Sequence, residues 1–187
     1  MPFDYDTFYA SPMELRVGAT DCESGECHWF SNRQQGDDVI ADSIASSSMP
    51  LLSPMKVIGG KRYLDGGVAD SIPYQAAGDL GCQRRLVVLT QPAGYLKQPA
   101  NMLPFQAMYR RYPRFVQAMA DRARMYNAQV CQVEQAAKNG EAFLIRPSKA
   151  LKVGRMEHDM DRINAQYELG RTDALAALPA LRHWLEG

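Results

Sequence analysis

The sequence predicts an α/β fold that gives way to a mostly helical C-terminal region. A strand-like run ending at Arg62-Tyr63-Leu64-Asp65 is followed by a short helical stretch, Tyr74 to Gly81, and then by the apolar run Arg85 to Thr90. That succession has the rhythm of a βαβ unit. From Pro104 onward the character changes. Arg114 to Lys138 carries apolar residues at 115, 119, 126, 130, 133 and 137, close to the 3.6-residue helical repeat. With 187 residues, 46% hydrophobic and 22% charged, the chain has the size and balance of one globular domain or a large part of one.

The elements follow in order. Glu14 to Asp21 and Cys27 to Ser31 read as two strands joined by a tight turn at Ser24-Gly25. Asp37 to Ser48 has a short helical stripe at 40, 41, 44 and 45, with Asp37 or Asp38 as its N-cap. It runs into a loop punctuated by Pro50 and Pro54. Met55 to Ile58 and Arg62 to Leu64 are strand pieces around a hairpin turn at Gly59-Gly60. Pro73 sits near the first turn of the next helix. Leu86 to Leu89 reads as a strand buried on both faces, as in parallel sheets. Asn139-Gly140 supplies the stop of the long helix. Phe143 to Ile145 is a last short strand closed by Pro147. Two more helices follow, Glu157 to Leu169, ending at Gly170, and Thr172 to Leu185.

Composition excludes several function classes. Lysine plus arginine and aspartate plus glutamate both number 21, so no bulk field steers the chain to nucleic acid or anionic membranes. No apolar run approaches the length of a membrane-spanning helix. Met1 to Asp6 lacks the basic and apolar regions of a signal peptide. Cys22 and Cys27 flank the turn and are placed to face each other across the hairpin. Adding His28 gives C-x4-C-H, but a zinc site wants a second ligand pair, and none is present. No metal and no cofactor is expected, and free thiols point to a reducing, cytoplasmic compartment.

The segment Arg62 to Pro73 carries most of the chemistry. A strand ends in Asp65, and Gly66-Gly67 follow at once, allowing backbone angles that residues with a Cβ avoid. A carboxylate presented there without neighbouring bulk has the geometry of a general base. The same Asp-Gly-Gly is also what an ordinary turn requires. Asp70 is the nearest rival carboxylate and reads as a cap of the next helix. Asp21 lies beside a turn, where aspartate satisfies backbone groups. His28, His158 and His183 sit in no motif and read as packing or surface residues.

Taken together, these pieces resemble the second half of the catalytic domain of patatin-like phospholipases, in a bacterial branch. Ala45 to Pro50 looks like the family's A-S-x-x-x-P helix end, Tyr63 to Gly67 its strand and D-G-G, and Ile72 to Ala77 its proline-led helix. Gly18 to Glu26 looks like the A-T-D-x-x-T/S-G hairpin. The tail from Arg111-Tyr112-Pro113 through Tyr126-Asn127 to Phe143 and Ser148 also fits. The resemblance implies that residues 1–100 are the C-terminal half of a three-layer α/β/α catalytic domain and residues 101–187 a helical extension packed on it. It also implies a Ser-Asp dyad acting on phospholipid or other acyl esters. Asp65 would take the serine proton directly, with Gly66 and Gly67 forming the active-site loop.

One departure is decisive. None of the ten serines has glycines at both −2 and +2, and no G-G-x-R/K-G run occurs. The nucleophile elbow and the oxyanion loop are therefore missing, and the chain is expected to be a fragment with the acid but not the serine. Losing such a nucleophile costs on the order of 10⁶ in rate, so inactivity alone is expected. The alternatives are a non-catalytic interaction or scaffold protein derived from such a hydrolase, and an independent binding module with a fortuitous turn at Asp65. Arg110, Arg111 and Arg114 interleave with Tyr109, Tyr112 and Phe115, which is read either as contact with phospholipid headgroups, or even single-stranded nucleic acid, or as a helix junction with solvated arginines, the reading favoured here. A sheet lacking its central strands leaves an uncovered edge at Leu86 to Leu89, so self-association is expected.

Overall fold

The computed structural model describes residues 3–34, 36, 38–150, 153–154 and 157–186. In chain order the elements are α1 (Tyr5–Ala10), β1 (Arg16–Asp21), β2 (Cys27–Ser31), α2 (Val39–Ser46), β3 (Lys56–Ile58) and β4 (Lys61–Asp65). There follow α3 (Tyr74–Asp79), β5 (Arg85–Val88), α4 (Leu103–Met108), α5 (Pro113–Lys138), β6 (Ala142–Ile145) and α6 (Met160–Glu186). Both classes of element are present, and the protein is mixed α/β. The chain forms two compact units, Met1–Ile72 with Gln98–Tyr126, and Pro73–Lys97 with Asn127–Gly187.

The first unit is built on a four-stranded antiparallel sheet of order β2-β1-β4-β3. Its hairpins follow local chemistry. Gly59 and Gly60 both have positive φ, 56° and 80°, as the two-residue turn between β3 and β4 requires. The end of β1 is closed by Asp21, whose backbone amide bonds Glu26 O at 2.9 Å. Asp38 caps α2, its carboxylate accepting from the Ile40 amide at 3.0 Å; Asp37, the other candidate cap, lies outside the described residues. Successive residues of β4 enter different clusters. Tyr63 packs with Ala19, Phe30 and Ala45 of α2, whereas Leu64 packs with Cys22, Val68, Tyr109, Phe115 and Met119. The strand is thereby anchored on both faces immediately before Asp65.

Cys22 and Cys27 do not face each other. The register sets Cys27 opposite Thr20, which leaves Cys22 beyond the paired strand, where it turns into the core cluster.

In the second unit β5 and β6 form a two-stranded parallel sheet, Arg85 opposite Ala142 and Val88 opposite Ile145. This corrects two expectations. The β4–α3–β5 succession does not build one sheet, because both edges of β4 are taken by β1 and β3. Nor is β5 covered on both faces: Leu86 and Val88 are 48% and 67% exposed. The long helix α5 stops as the sequence indicates, with Gly140 N bonding Ala137 O at 3.1 Å and Glu141 N bonding Ala136 O at 3.0 Å, the Schellman pattern.

The C-terminal pair of helices expected from the sequence is one continuous helix, α6, with Gly170 and Pro179 inside it. Gly170 keeps a negative φ and costs a helix only about 1 kcal/mol relative to alanine. Anchors outside the helix offset that cost. Trp184 Nε1 donates to Gly140 O at 2.9 Å, Arg84 Nη1 donates to Leu185 O at 2.7 Å, and Asp173 accepts from the Ser148 amide at 2.8 Å. Among the described residues no helix is long and apolar enough to cross a membrane.

Because Gly170 faces open space within a continuous helix, Gly170→Ala raises the urea midpoint of the helical circular-dichroism signal, a gain of about 1 kcal/mol. No gain would mean that the helix does stop there.

Candidate functional site

Asp65 is the last residue of β4 and the N-cap of a single 3₁₀ turn, Gly66–Val68. Its carboxylate Oδ1 accepts from the Gly67 amide at 2.8 Å. Both of its backbone groups are committed: the amide donates to Ser48 O at 2.8 Å, and the carbonyl accepts from Thr20 Oγ1 at 2.8 Å. The Thr20 hydroxyl also accepts from the Ala69 amide at 3.2 Å. Three separate stretches of sequence, carrying Thr20, Ser48 and Asp65, are thus tied at one point. Asp65 is half-buried, and among the described residues it enters no ion pair and Oδ2 accepts no hydrogen bond. One oxygen is held by the turn and the other has no donor among the described residues.

The glycine pair works differently from its sequence reading. Neither Gly66 nor Gly67 has a positive φ. Gly66 is required for space: a Cβ there would lie 2.0 Å from Gly18 O and 2.7 Å from Gly18 C. At Gly67 the neighbours of a Cβ would be Asp65 Oδ1 at 3.0 Å, Arg122 Nη2 at 3.5 Å and Ser71 Oγ at 3.9 Å. The Gly67 carbonyl accepts from Ser71 Oγ at 2.6 Å and from Arg122 Nε at 2.8 Å.

Arg122 and Ser71 are therefore the site residues that sequence reasoning missed. A signal for Arg122 existed. It lies on the stripe of α5 that buries Phe115, Met119 and Tyr126, a cation at a core-facing helical position.

Residues 112–186 match the family model described as "Domain of unknown function (DUF6363)". That stretch takes in α5, β6 and α6, Arg122 included, and covers less than half of the chain. No curated protein matches the sequence.

The loop leading to Ser48 and beyond carries backbone strain. Leu51 has φ of +69°, and its amide donates to the Tyr109 hydroxyl at 2.8 Å. Tyr109 is itself buried edge-on against Phe115, with ring centroids 4.9 Å apart. Tyr109 and Phe115 thus belong to the core and Tyr112 is half-buried against it, while Arg110, Arg111 and Arg114 are exposed.

The rival titratable groups picked out from the sequence make contacts of other kinds. Asp70 does not occupy the N-cap position of α3. The N-cap residue is Pro73, which has no side chain to cap with. Asp21 accepts from the Glu23 and Ser24 amides at 2.8 and 3.2 Å and pairs with Lys61 at 3.3 Å. Burial works against its charge, but those amides and the ammonium outweigh it and hold the carboxyl below its ordinary range. His28 packs against Phe30 and Tyr63, and His158 and His183 are exposed.

All four cysteines are free. Burial, with the Asp21 charge adding to it, pushes the Cys22 thiol up to about 12. Burial and the Asp70 charge do the same for Cys27, also to about 12, so neither is a nucleophile near neutral pH. Among the described residues no cluster of His, Cys, Asp and Glu is suited to a metal ion.

Gly66→Ala forces backbone apart and costs about 3 kcal/mol or more in urea unfolding, whereas Gly67→Ala meets only side chains and costs about 1 kcal/mol. Equal costs would contradict the close approach. Asp21, with a depressed folded value, stabilises above its unfolded value of about 4, and that stabilisation is lost as pH falls through the folded value. Asp21→Asn is therefore less stable than the parent near neutrality, and the two unfolding midpoints converge in acid.

Proposed function

We propose that this chain is the base-bearing half of a patatin-like serine acyl hydrolase acting on phospholipid or other acyl esters, with Asp65 as its general base. The supporting observation is the convergence around that residue. The A-T-D hairpin through Thr20, the A-S-x-x-x-P helix end through Ser48, and the D-G-G turn are joined by hydrogen bonds to the backbone of Asp65. On this reading the first unit, with α2 and the start of α5 supplying residues to opposite clusters, is part of a three-layer α/β/α domain.

The chemistry follows from the two carboxylate oxygens. Gly67 N–H holds Oδ1 and fixes the plane of the group. Oδ2 takes the proton of a serine hydroxyl as that oxygen attacks the acyl carbonyl, and the same proton then passes to the departing alkoxide. Arg122 and Ser71, both donating to Gly67 O, are positioning residues that hold the turn. The sequence contains no G-x-S-x-G, so the serine belongs to a segment other than these 187 residues. A second reading, a non-catalytic interaction or scaffold protein derived from such a hydrolase, draws on that missing elbow and on the use of Asp65 as a cap.

Asp65→Asn separates the two, because an asparagine oxygen still accepts the Gly67 amide but is no base. With a serine-bearing elbow segment supplied, the variant lowers kcat for p-nitrophenyl butyrate by about 10⁴. Unchanged turnover in that assay would end the hydrolase reading.

A further inference from the structure

A second candidate site lies wholly within the unit formed by Pro73–Lys97 and Asn127–Gly187, and it does not rest on the reading of Asp65. It is a cavity of about 510 Å³ between α3, the start of β5 and the last turns of α5. Its centre is Arg85, whose guanidinium lies over the Tyr74 ring at 3.9 Å from the centroid and donates from Nη1 to Tyr74 O at 3.2 Å. Gly78 makes this placement possible, since a Cβ there would lie 2.7 Å from Arg85 Nη1.

Two polar atoms of this pair are buried without a partner among the described residues, Arg85 Nε and the Tyr74 hydroxyl. Tyr74 is 6% exposed. Because Nη1 is occupied, the edge left to Arg85 is Nε with Nη2, the fork that takes an anionic group in two parallel bonds. Unfilled polar atoms buried beside a cavity are a cost that stability alone gives no reason to keep.

The rim is of opposite character. Gln132 donates to Gln75 at 3.2 Å, and Gln75 donates to Asp79 at 3.1 Å. Gln135 donates to Asn139 at 3.1 Å, and Asn139 to Glu141 at 3.4 Å. Each relay ends on a carboxylate, so the cavity wall presents acceptors around one cation. A simple anion would meet two negative charges, and a simple cation would meet Arg85. A ligand carrying both charges on a short chain satisfies each side.

The geometry points to a binding site for a small zwitterion, its carboxylate or phosphate on the free edge of Arg85 and its ammonium facing Asp79 and Glu141. The test is a titration of the ¹⁵N-labelled full chain with glycine, β-alanine, γ-aminobutyrate and glycerophosphoethanolamine, beside acetate, inorganic phosphate and ethylamine. The expected result is saturable shifts of the Gly78 backbone amide and of the Gln132 and Asn139 side-chain amides with at least one zwitterion. Binding should be about tenfold or more tighter than that of any singly charged probe. Saturation by the amino acids alone identifies a free carboxylate as the anionic group, and by the phosphodiester alone a lipid headgroup. Tyr74→Phe should leave the melting temperature unchanged or raised while weakening that binding. Asp79→Asn combined with Glu141→Gln should reverse the preference toward acetate or phosphate. Absence of saturable shifts with all four zwitterions, or equal affinity for acetate, phosphate or ethylamine, would overturn the assignment.

Discussion

The turn after β4 depends on a place where two stretches of backbone nearly touch. Gly66 approaches the Gly18 carbonyl so closely that no Cβ fits between them. That approach lets the chain leave β4 in a 3₁₀ turn, which in turn places the Gly67 amide under the Asp65 carboxylate and the Gly67 carbonyl under Arg122 and Ser71. Strand pairing to β1 brings Gly18 to this spot, and the burial of Tyr63 and Leu64 in two different clusters keeps β4 from sliding. A one-residue slip would send each of those side chains to the wrong face and carry Asp65 away from Thr20. The position of one carboxylate is therefore set by hydrophobic burial on both sides of a strand and by steric clearance at its end.

Local signals were legible where a short-range rule decides the outcome. The Gly59-Gly60 hairpin, an aspartate cap at Asp37 or Asp38 and the stop of α5 at Gly140 each depend on a few adjacent residues, and each is readable from them. The strand end at Asp65 is legible for the same reason, since an apolar run ending in an acid before two glycines is a local pattern. What was not legible is set by distant partners. Whether β5 joins β4 depends on which strands already occupy the edges of β4, and the apolar run Leu86 to Leu89 looks the same in either sheet. Gly170 has every mark of a helix stop, yet anchors at Trp184, Arg84 and Asp173 carry the helix through it.

The glycines of the site illustrate the same limit more finely. Their type was readable, but their reason was not: left-handed backbone angles and steric clearance both select glycine, and only the neighbours distinguish them. Arg122 shows the converse. A charged residue on a buried stripe breaks the apolar pattern, and its partner is a backbone carbonyl 55 positions away in sequence, invisible to any local rule.

Leu51 adds a mechanical dimension to the neighbourhood of Asp65. A leucine in the left-handed region sits roughly 1–2 kcal/mol above its relaxed state, and here the Tyr109 hydroxyl on its amide, the packing of its side chain against the core and the turn bonds to Met49 O all accompany that conformation. Three residues earlier in the same loop, Ser48 supplies the carbonyl on which the Asp65 amide rests. A buried phenol and a strained leucine thus stand three residues from the carbonyl that carries the Asp65 amide, and the link between them is backbone throughout.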